Sequence, residues 1–213
     1  MKISEILSQD KLSLSFEVFP PKTQDKFEVV SSATTEIAKL KPDFMSVTYG
    51  AGGTTAKYTL EIAKGLLDEG VTPLAHLTCV CSTKESILQK LNEFKENGIE
   101  NILALRGDIP DGTTPSQWDF KYASELVSFI KENGDFCVGG ACYPEKHVES
   151  SNEKEDLVNL KHKVDCGCDF LTTQMFFDNK KFFEFVDKCR KAGITVPIIP
   201  GLKPFSSLGQ LEV

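Results

Sequence analysis

The sequence predicts an α/β fold, an eightfold (β/α) barrel truncated after about seven strands. Three observations predict it. Seven strand-like apolar runs begin about 30 residues apart, and a helical pattern fills each gap. Alternation of that kind builds a parallel sheet with crossover helices. No G-x-G-x-x-G follows the first strand, so the fingerprint of an open dinucleotide-binding sheet is missing.

The predicted strands are Leu12–Phe19, Asp43–Tyr49, Pro73–Val80, Asn101–Arg106, Phe136–Tyr143, Asp169–Met175 and Val196–Pro200. The first ends at Pro20-Pro21, where φ is fixed and a ladder donor is lost. Gln24–Leu40 reads as the first helix, with Phe27, Val30, Ile37 and Leu40 at helical spacing. Thr55–Glu69 follows, then Thr83–Asn97, which Gly98 closes as a C-terminal cap. Gln117–Asn133, Asn152–Gly167 and Asn179–Ala192 complete the series. A full eightfold barrel takes about 250 residues. This chain has 213 and is expected to form a single barrel domain over 1–213 without its last βα unit.

Hydrophobic residues make up 40% and charged residues 26%, which suits a packed core rather than a disordered chain. The net charge is −7 and no basic run occurs, which argues against nucleic acid or an anionic membrane as partner. No apolar run reaches the ~20 residues of a spanning helix. Met1-Lys2-Ile3-Ser4-Glu5 lacks the apolar centre of a signal peptide, so a cytoplasmic location is expected. The seven cysteines are an odd number in mostly apolar settings and read as reduced, packed thiols. His76 with Cys79 and Cys81, or Cys166 with Cys168, lacks the spacing of zinc knuckles, and no metal is expected.

Barrel active sites form at the C-terminal ends of strands. Those ends carry Glu17, then Ser46-Val47-Thr48-Tyr49, His76 and Thr78, Arg106-Gly107-Asp108, Tyr143-Pro144-Glu145 with His147, and Thr172 with Gln174. A carboxyl near the end of an apolar strand must be paired, hydrogen-bonded or kept protonated. Glu17 is therefore either a satisfied structural carboxylate or a general acid. His76 taken alone could be a core histidine, and Arg106 with Asp108 a rim ion pair. Agreement among six strands favours a functional rim. The glycines of Gly50-Ala51-Gly52-Gly53 suit either a close approach to a ligand or a plain turn. The loop has no G-K-[ST], which disfavours a nucleoside triphosphate.

Taken together the segments resemble the methylenetetrahydrofolate reductase family of flavoproteins. The resemblance rests on Ser15-Phe16-Glu17-Val18-Phe19-Pro20-Pro21-Lys22-Thr23, Val47-Thr48-Tyr49-Gly50-Ala51-Gly52-Gly53, His76-Leu77-Thr78-Cys79, Leu105-Arg106-Gly107-Asp108, Tyr143-Pro144-Glu145 with His147, and Thr173-Gln174. It extends over essentially the whole chain, in family order. It implies a barrel that holds FAD and reduces 5,10-methylenetetrahydrofolate to 5-methyltetrahydrofolate with NADH or NADPH. It implies catalytic roles for Glu17, as proton donor, and for Asp108. The family's cofactor contacts are matched by Thr48, Tyr49, Ala51, His76, Arg106, Gly107, Asp108, Tyr122, Ala123, Tyr143, His147, Asp156, Asn159, His162 and Lys163. At His162 the family often carries arginine. Asp108, Gln174 and Gln210 match substrate contacts. Partners are then the folate substrate and further copies of the chain in a homo-oligomer.

The residues support that chemistry on their own terms. Hydride can reach the bridging methylene only after ring opening to an exocyclic iminium, and the nitrogen released needs a proton from a positioned acid. A carboxyl on an apolar strand can hold its proton to higher pH. Nearby charge, here Arg106 and Asp108, can tune a cofactor's electronics. Two other readings stay open. A phosphate-sugar aldolase would want a Schiff-base lysine inside the barrel, yet Lys22 lies past the prolines and Lys203 past the last strand. A flavin-linked amino-acid dehydrogenase belongs with the aldolase to the first reading, another barrel enzyme; the second is a non-catalytic fragment or subunit that binds flavin or a partner protein.

Overall fold

Among the described residues seven parallel strands form one sheet in chain order: β1 (Ser15–Val18), β2 (Phe44–Val47), β3 (Thr72–Thr78), β4 (Asn101–Leu105), β5 (Cys137–Cys142), β6 (Phe170–Thr173) and β7 (Ile198–Ile199). The computed structural model describes residues 1–50, 56–109, 112 and 118–205. Helix α1 (Ile3–Leu7) precedes the sheet. Crossovers are made by α2 (Phe27–Ala38), α3 (Ala56–Asp68), α4 (Lys84–Glu96), α5 (Ala123–Asn133), α6 (Glu153–Asp165) and α7 (Asn179–Lys191). A doubly wound sheet reverses its strand order in the middle. Here the order never reverses, and the sheet curls into a half-barrel.

Side-chain alternation gives the two faces of the sheet different cores. On the outer face Met45, Val47, Ala75, Leu77, Ile102, Ala104 and Val138 pack with helix residues that include Ala63, Leu66, Ile87, Leu91, Phe94, Leu126 and Ile130. A second outer cluster joins Cys142 and Leu171 to Leu160, Phe185 and Cys189 of α6 and α7. On the inner face Phe44, Leu74, Leu103, Cys137 and Phe170 pack with Ile3 and Ile6. Gly139 belongs to this inner layer for a steric reason: a Cβ there would sit 2.5 Å from the Phe170 ring and 3.0 Å from Leu103 Cδ1.

Helix α1 plugs the N-terminal end of the half-barrel, an element the sequence reading omits. Asn101, at the start of β4, anchors it. Ile3 N donates to Asn101 Oδ1 at 2.7 Å, while Asn101 Nδ2 donates to Met1 O at 3.1 Å and Pro73 O at 3.3 Å. With the bottom closed, the C-terminal rim is the open end.

Element boundaries differ from expectation for identifiable reasons. The first strand starts at Ser15, because Leu12 is 94% exposed and lies outside the ladder. The first crossover enters through a 3₁₀ turn at Gln24–Lys26 and ends at Ala38, with Lys41 in the left-handed region at φ 55°. Helix α5 starts at Ala123, not Gln117. Asp119 in the preceding segment caps α4 instead, accepting from Lys84 N at 2.8 Å. Gln117 itself and Thr55 lie outside the described residues. Local caps fix the remaining starts. Thr83 Oγ1 accepts from Ser86 N, Asn152 Oδ1 from Glu155 N, and Asp178 from Lys180 N.

Candidate active site

Three adjacent strands bring Glu17, Ser46 and His76 together. Glu17 lies opposite Ser46 in the β1–β2 register, and Ser46 lies opposite Leu74. His76 is therefore one inward-facing position further up β3. Ser46 Oγ donates to Glu17 Oε2 at 3.2 Å and lies 3.2 Å from His76 Nε2. Glu17 Oε2 and His76 Nε2 are 3.6 Å apart. The Glu17 side chain is 47% exposed at the rim, whereas that of His76 is 7% exposed. Burial pushes His76 down to about 4, so its ring is neutral at ordinary pH and the contact is not an ion pair. Partial burial pushes Glu17 up from the usual carboxylate range, and the Ser46 bond draws it partly back.

The β4 and β5 ends form a second cluster. The ladder continues past β4, with Cys79 N donating to Leu105 O and Val80 N to Arg106 O at 2.9 Å. Gly107 then turns at φ +86°; a Cβ there would lie 2.9 Å from Val80 Cγ1. Arg106 donates through Nη1 and Nη2 to the two carboxylate oxygens of Glu149. That pairing raises the Arg106 pKa and lowers that of Glu149. Tyr143 and His147 meet edge-to-face at 4.6 Å between ring centres. Glu149 N donates to His147 Nδ1 at 3.1 Å, so Nδ1 is the acceptor and Nε2 is the ring's donor. Lys146 ties this loop together through the carbonyls of His147 and Ser150. Asp108, two residues after Arg106, is exposed.

The other expected residues spread around these clusters. Thr48 continues the β1–β2 ladder to Val18 O at 3.0 Å, and its carbonyl accepts from Thr59. The Tyr49 ring packs on the outer core, where burial raises its phenol pKa; its backbone, not its ring, stands at the rim. Tyr122 and Ala123 open α5, with Tyr122 62% exposed. On α6, Asp156 accepts from Ser150 Oγ at 2.8 Å, and Asn159 and His162 are exposed. Lys163 reaches under β5 to Ala141 O at 2.5 Å, and burial lowers its pKa. Gln174 N extends the β5–β6 ladder to Cys142 O, and its side chain is exposed. Ala51 and Gln210 lie outside the described residues. Among the described residues no group of three His, Cys, Asp or Glu side chains could hold a metal ion.

Of the residues in these clusters, Glu149 is not named from the sequence, and Ser46 is named only within the run that ends the second strand, with no role of its own. Ser46 shares the inward parity of Glu17 and could have been found from register. Glu149 lies in a loop, where no periodicity marks it.

The whole chain from residue 2 to 213 matches the family model described as methylenetetrahydrofolate reductase. The chain belongs to the methylenetetrahydrofolate reductase family. A 5,10-methylenetetrahydrofolate reductase of Pectobacterium carotovorum is 41% identical over 206 residues, covering 96% of this chain and 68% of the relative. The Escherichia coli enzyme of the same name is 41% identical over 205 residues, with the same coverage. In Arabidopsis thaliana, methylenetetrahydrofolate reductase (NADH) 1 is 39% identical over 97% of this chain and 37% of its own length. Solved structures agree on the fold. An uncharacterized Clostridium thermocellum protein, described as binding two copies of 5-methyl-5,6,7,8-tetrahydrofolic acid, superposes with TM-score 0.69 at 15% identity. The match covers 100% of this chain and 73% of that one. Oxaloacetate acetylhydrolase superposes at 0.63 with 13% identity, over 99% and 75% of the two chains. The methylenetetrahydrofolate reductase family is thus set by sequence, and the barrel wall by structure.

Proposed function

We propose that this chain reduces 5,10-methylenetetrahydrofolate to 5-methyltetrahydrofolate at the C-terminal rim, using FAD and NADH or NADPH. Family membership supports the reaction class, and the Arabidopsis relative's name supports NADH as one electron source. The observation that carries the reading is the Glu17 carboxyl, half exposed at the rim, with its proton affinity raised by burial. That is what an acid facing a bound substrate needs.

The donor set at the rim fits FAD. A pyrophosphate needs cations and N–H donors. Arg106 supplies a planar fork, His147 an Nε2–H, and Lys163 an ammonium whose only hydrogen bond among the described residues is to Ala141 O. Burial weakens the Lys163 charge, so an anion placed beside it would be favoured. Tyr143 and Tyr122 offer ring faces. Thr48, Tyr49, Gly107, Ala123, Asp156, Asn159 and His162 would complete the contacts. A flavin held there would supply hydride transfer from the nicotinamide to the folate.

The chain's own residues handle the proton and the substrate. In 5,10-methylenetetrahydrofolate one carbon bridges N5 and N10. Cleaving its bond to N10 leaves an N5 iminium, and N10 must gain a proton. Glu17 supplies that proton, ending the step as carboxylate, and hydride added to the iminium carbon gives the N5-methyl group. Gln174 and Asp108 stand at the same rim to orient the pterin. The same reading takes residues 1–213 as one barrel unit that acts as a homo-oligomer in the cytoplasm. The test is direct. The purified protein should carry a flavin spectrum that NADH bleaches under nitrogen and that methylenetetrahydrofolate restores. Loss of the first step removes the cofactor assignment, and loss of the second alone removes the folate.

A further inference from the structure

We infer that Ser46 is a positioning residue for the proton donor, oriented by His76 so that it holds Glu17 Oε2 and leaves Oε1 to carry the proton to substrate. This rests on the proposed role of Glu17 and names the device that aims it. A serine hydroxyl has one hydrogen and can donate to only one neighbour. Ser46 Oγ lies 3.2 Å from both Glu17 Oε2 and His76 Nε2. The direction of the hydroxyl and the tautomer of the histidine are therefore linked.

His76 Nε2 faces two oxygens, Ser46 Oγ at 3.2 Å and Glu17 Oε2 at 3.6 Å. With the single hydroxyl hydrogen of Ser46 given to Glu17 Oε2, only an Oγ lone pair is left to face the ring, so Nε2 carries the ring's proton. Ser46 Oγ then accepts from His76 Nε2–H while it donates to Glu17 Oε2. With Oε2 so engaged, the carboxylic proton resides on Oε1, which has no hydrogen-bond partner among the described residues, on a side chain that is 47% exposed at the rim. Ser46 is buried.

Among the described residues, few titratable or charged groups meet this carboxyl. From β2 it meets Ser46, from β3 His76, which burial keeps neutral. Arg106 at the β4 end is committed to Glu149, and Tyr143 at the β5 end lies in the other cluster. The Ser46 bond favours ionised Glu17, so its removal raises the Glu17 pKa further.

The test uses Ser46→Ala and Ser46→Thr in the flavin-loaded protein, with each half-reaction followed separately by rapid mixing. In Ser46→Ala the plateau rate of flavin reoxidation by methylenetetrahydrofolate should fall about tenfold to a hundredfold, the worth of one hydrogen bond to a charged group. Its high-pH limb should move to higher pH, because a weaker acid stays protonated longer. Flavin reduction by NADH should be unchanged. Ser46→Thr keeps the hydroxyl and should restore most of the rate and the original limb. A second measurement avoids turnover altogether: the carboxyl ¹³C shift of Glu17, titrated in wild type and Ser46→Ala without flavin, should show a higher midpoint in the variant. An unmoved midpoint, or equal loss in both half-reactions, overturns the role of Ser46. If Glu17→Gln spares the folate half-reaction, the reading of Glu17 itself fails instead.

Discussion

Arg106 and Glu149 meet in a two-point ion pair, Nη1 to Oε2 at 2.5 Å and Nη2 to Oε1 at 2.6 Å, between the end of β4 and the loop after β5. The carboxylate occupies the fork that a phosphate would use. Glu149 is 56% exposed, so the pair contributes about 1 kcal/mol or less to folding. In Glu149→Gln the guanidinium is released, and FAD should bind about fivefold more tightly, the equivalent of ~1 kcal/mol. Arg106→Gln should weaken it. Titration of the flavin-free protein by flavin fluorescence gives both constants. Weaker binding in Glu149→Gln would mean that the carboxylate positions Arg106 and does not compete for it.

Asn101 holds the other end of the barrel. Its buried amide links α1 to the start of β4 through Ile3 N, Met1 O and Pro73 O. Asn101→Ala leaves a buried N–H and two carbonyls short of a partner and should cost about 2–4 kcal/mol. Urea unfolding should show a lower midpoint. The rim proposed to hold flavin lies at the opposite strand ends, so FAD affinity at low denaturant should hold. An unchanged midpoint would mean that α1 is held by Ile3 and Ile6 alone.

Much of this was legible in the sequence because strands announce themselves by apolar runs and fixed parity. The order of seven strands, the rim positions of Glu17, His76, Arg106 and Gln174, and the departure from a doubly wound sheet all follow from that pattern. Helix α1 was not legible. It is five residues long, and its two apolar anchors read as nothing until the open bottom of the sheet is known. Leu12 and Leu14 misled in the opposite way, being apolar but exposed. Tyr49 shows the limit of reading a rim position as a rim side chain, since one step in parity turned its ring to the helices. Glu149 needed the fold, because loop residues are paired by geometry and not by spacing.

His76 gives a signed pH dependence. Its folded pKa of about 4 lies below the ordinary value of 6.5, so the folded state binds fewer protons between them. Its contribution is fully present above pH 6.5 and is lost as pH falls toward 4, a change of about 3 kcal/mol. Glu17 runs the other way, its raised pKa giving stability at low pH that is lost as pH rises through the folded value. Being half exposed, it offsets only part of the histidine slope. Urea midpoints of wild type should therefore fall between pH 6.5 and 4 more steeply than those of His76→Gln. Parallel curves would place His76 in a more hydrated setting.

Glu17→Gln is the sharpest test of mechanism. Glutamine keeps the shape and can still accept from Ser46, but it has no acidic proton to give. Reduction of the flavin by NADH calls for no acid at N10, so that half-reaction should proceed at its usual rate. Reoxidation by methylenetetrahydrofolate needs the proton and should fall by ~10²–10⁴-fold, the usual worth of a general acid. A carboxyl that merely fills the rim would behave differently, since its neutralisation would alter flavin content and slow both halves together, or neither. Rapid mixing with each substrate in turn separates these outcomes. A folate half-reaction that survives intact would move the proton donor elsewhere on the rim, and Asp108, exposed two residues after Arg106, would be the next carboxyl to replace.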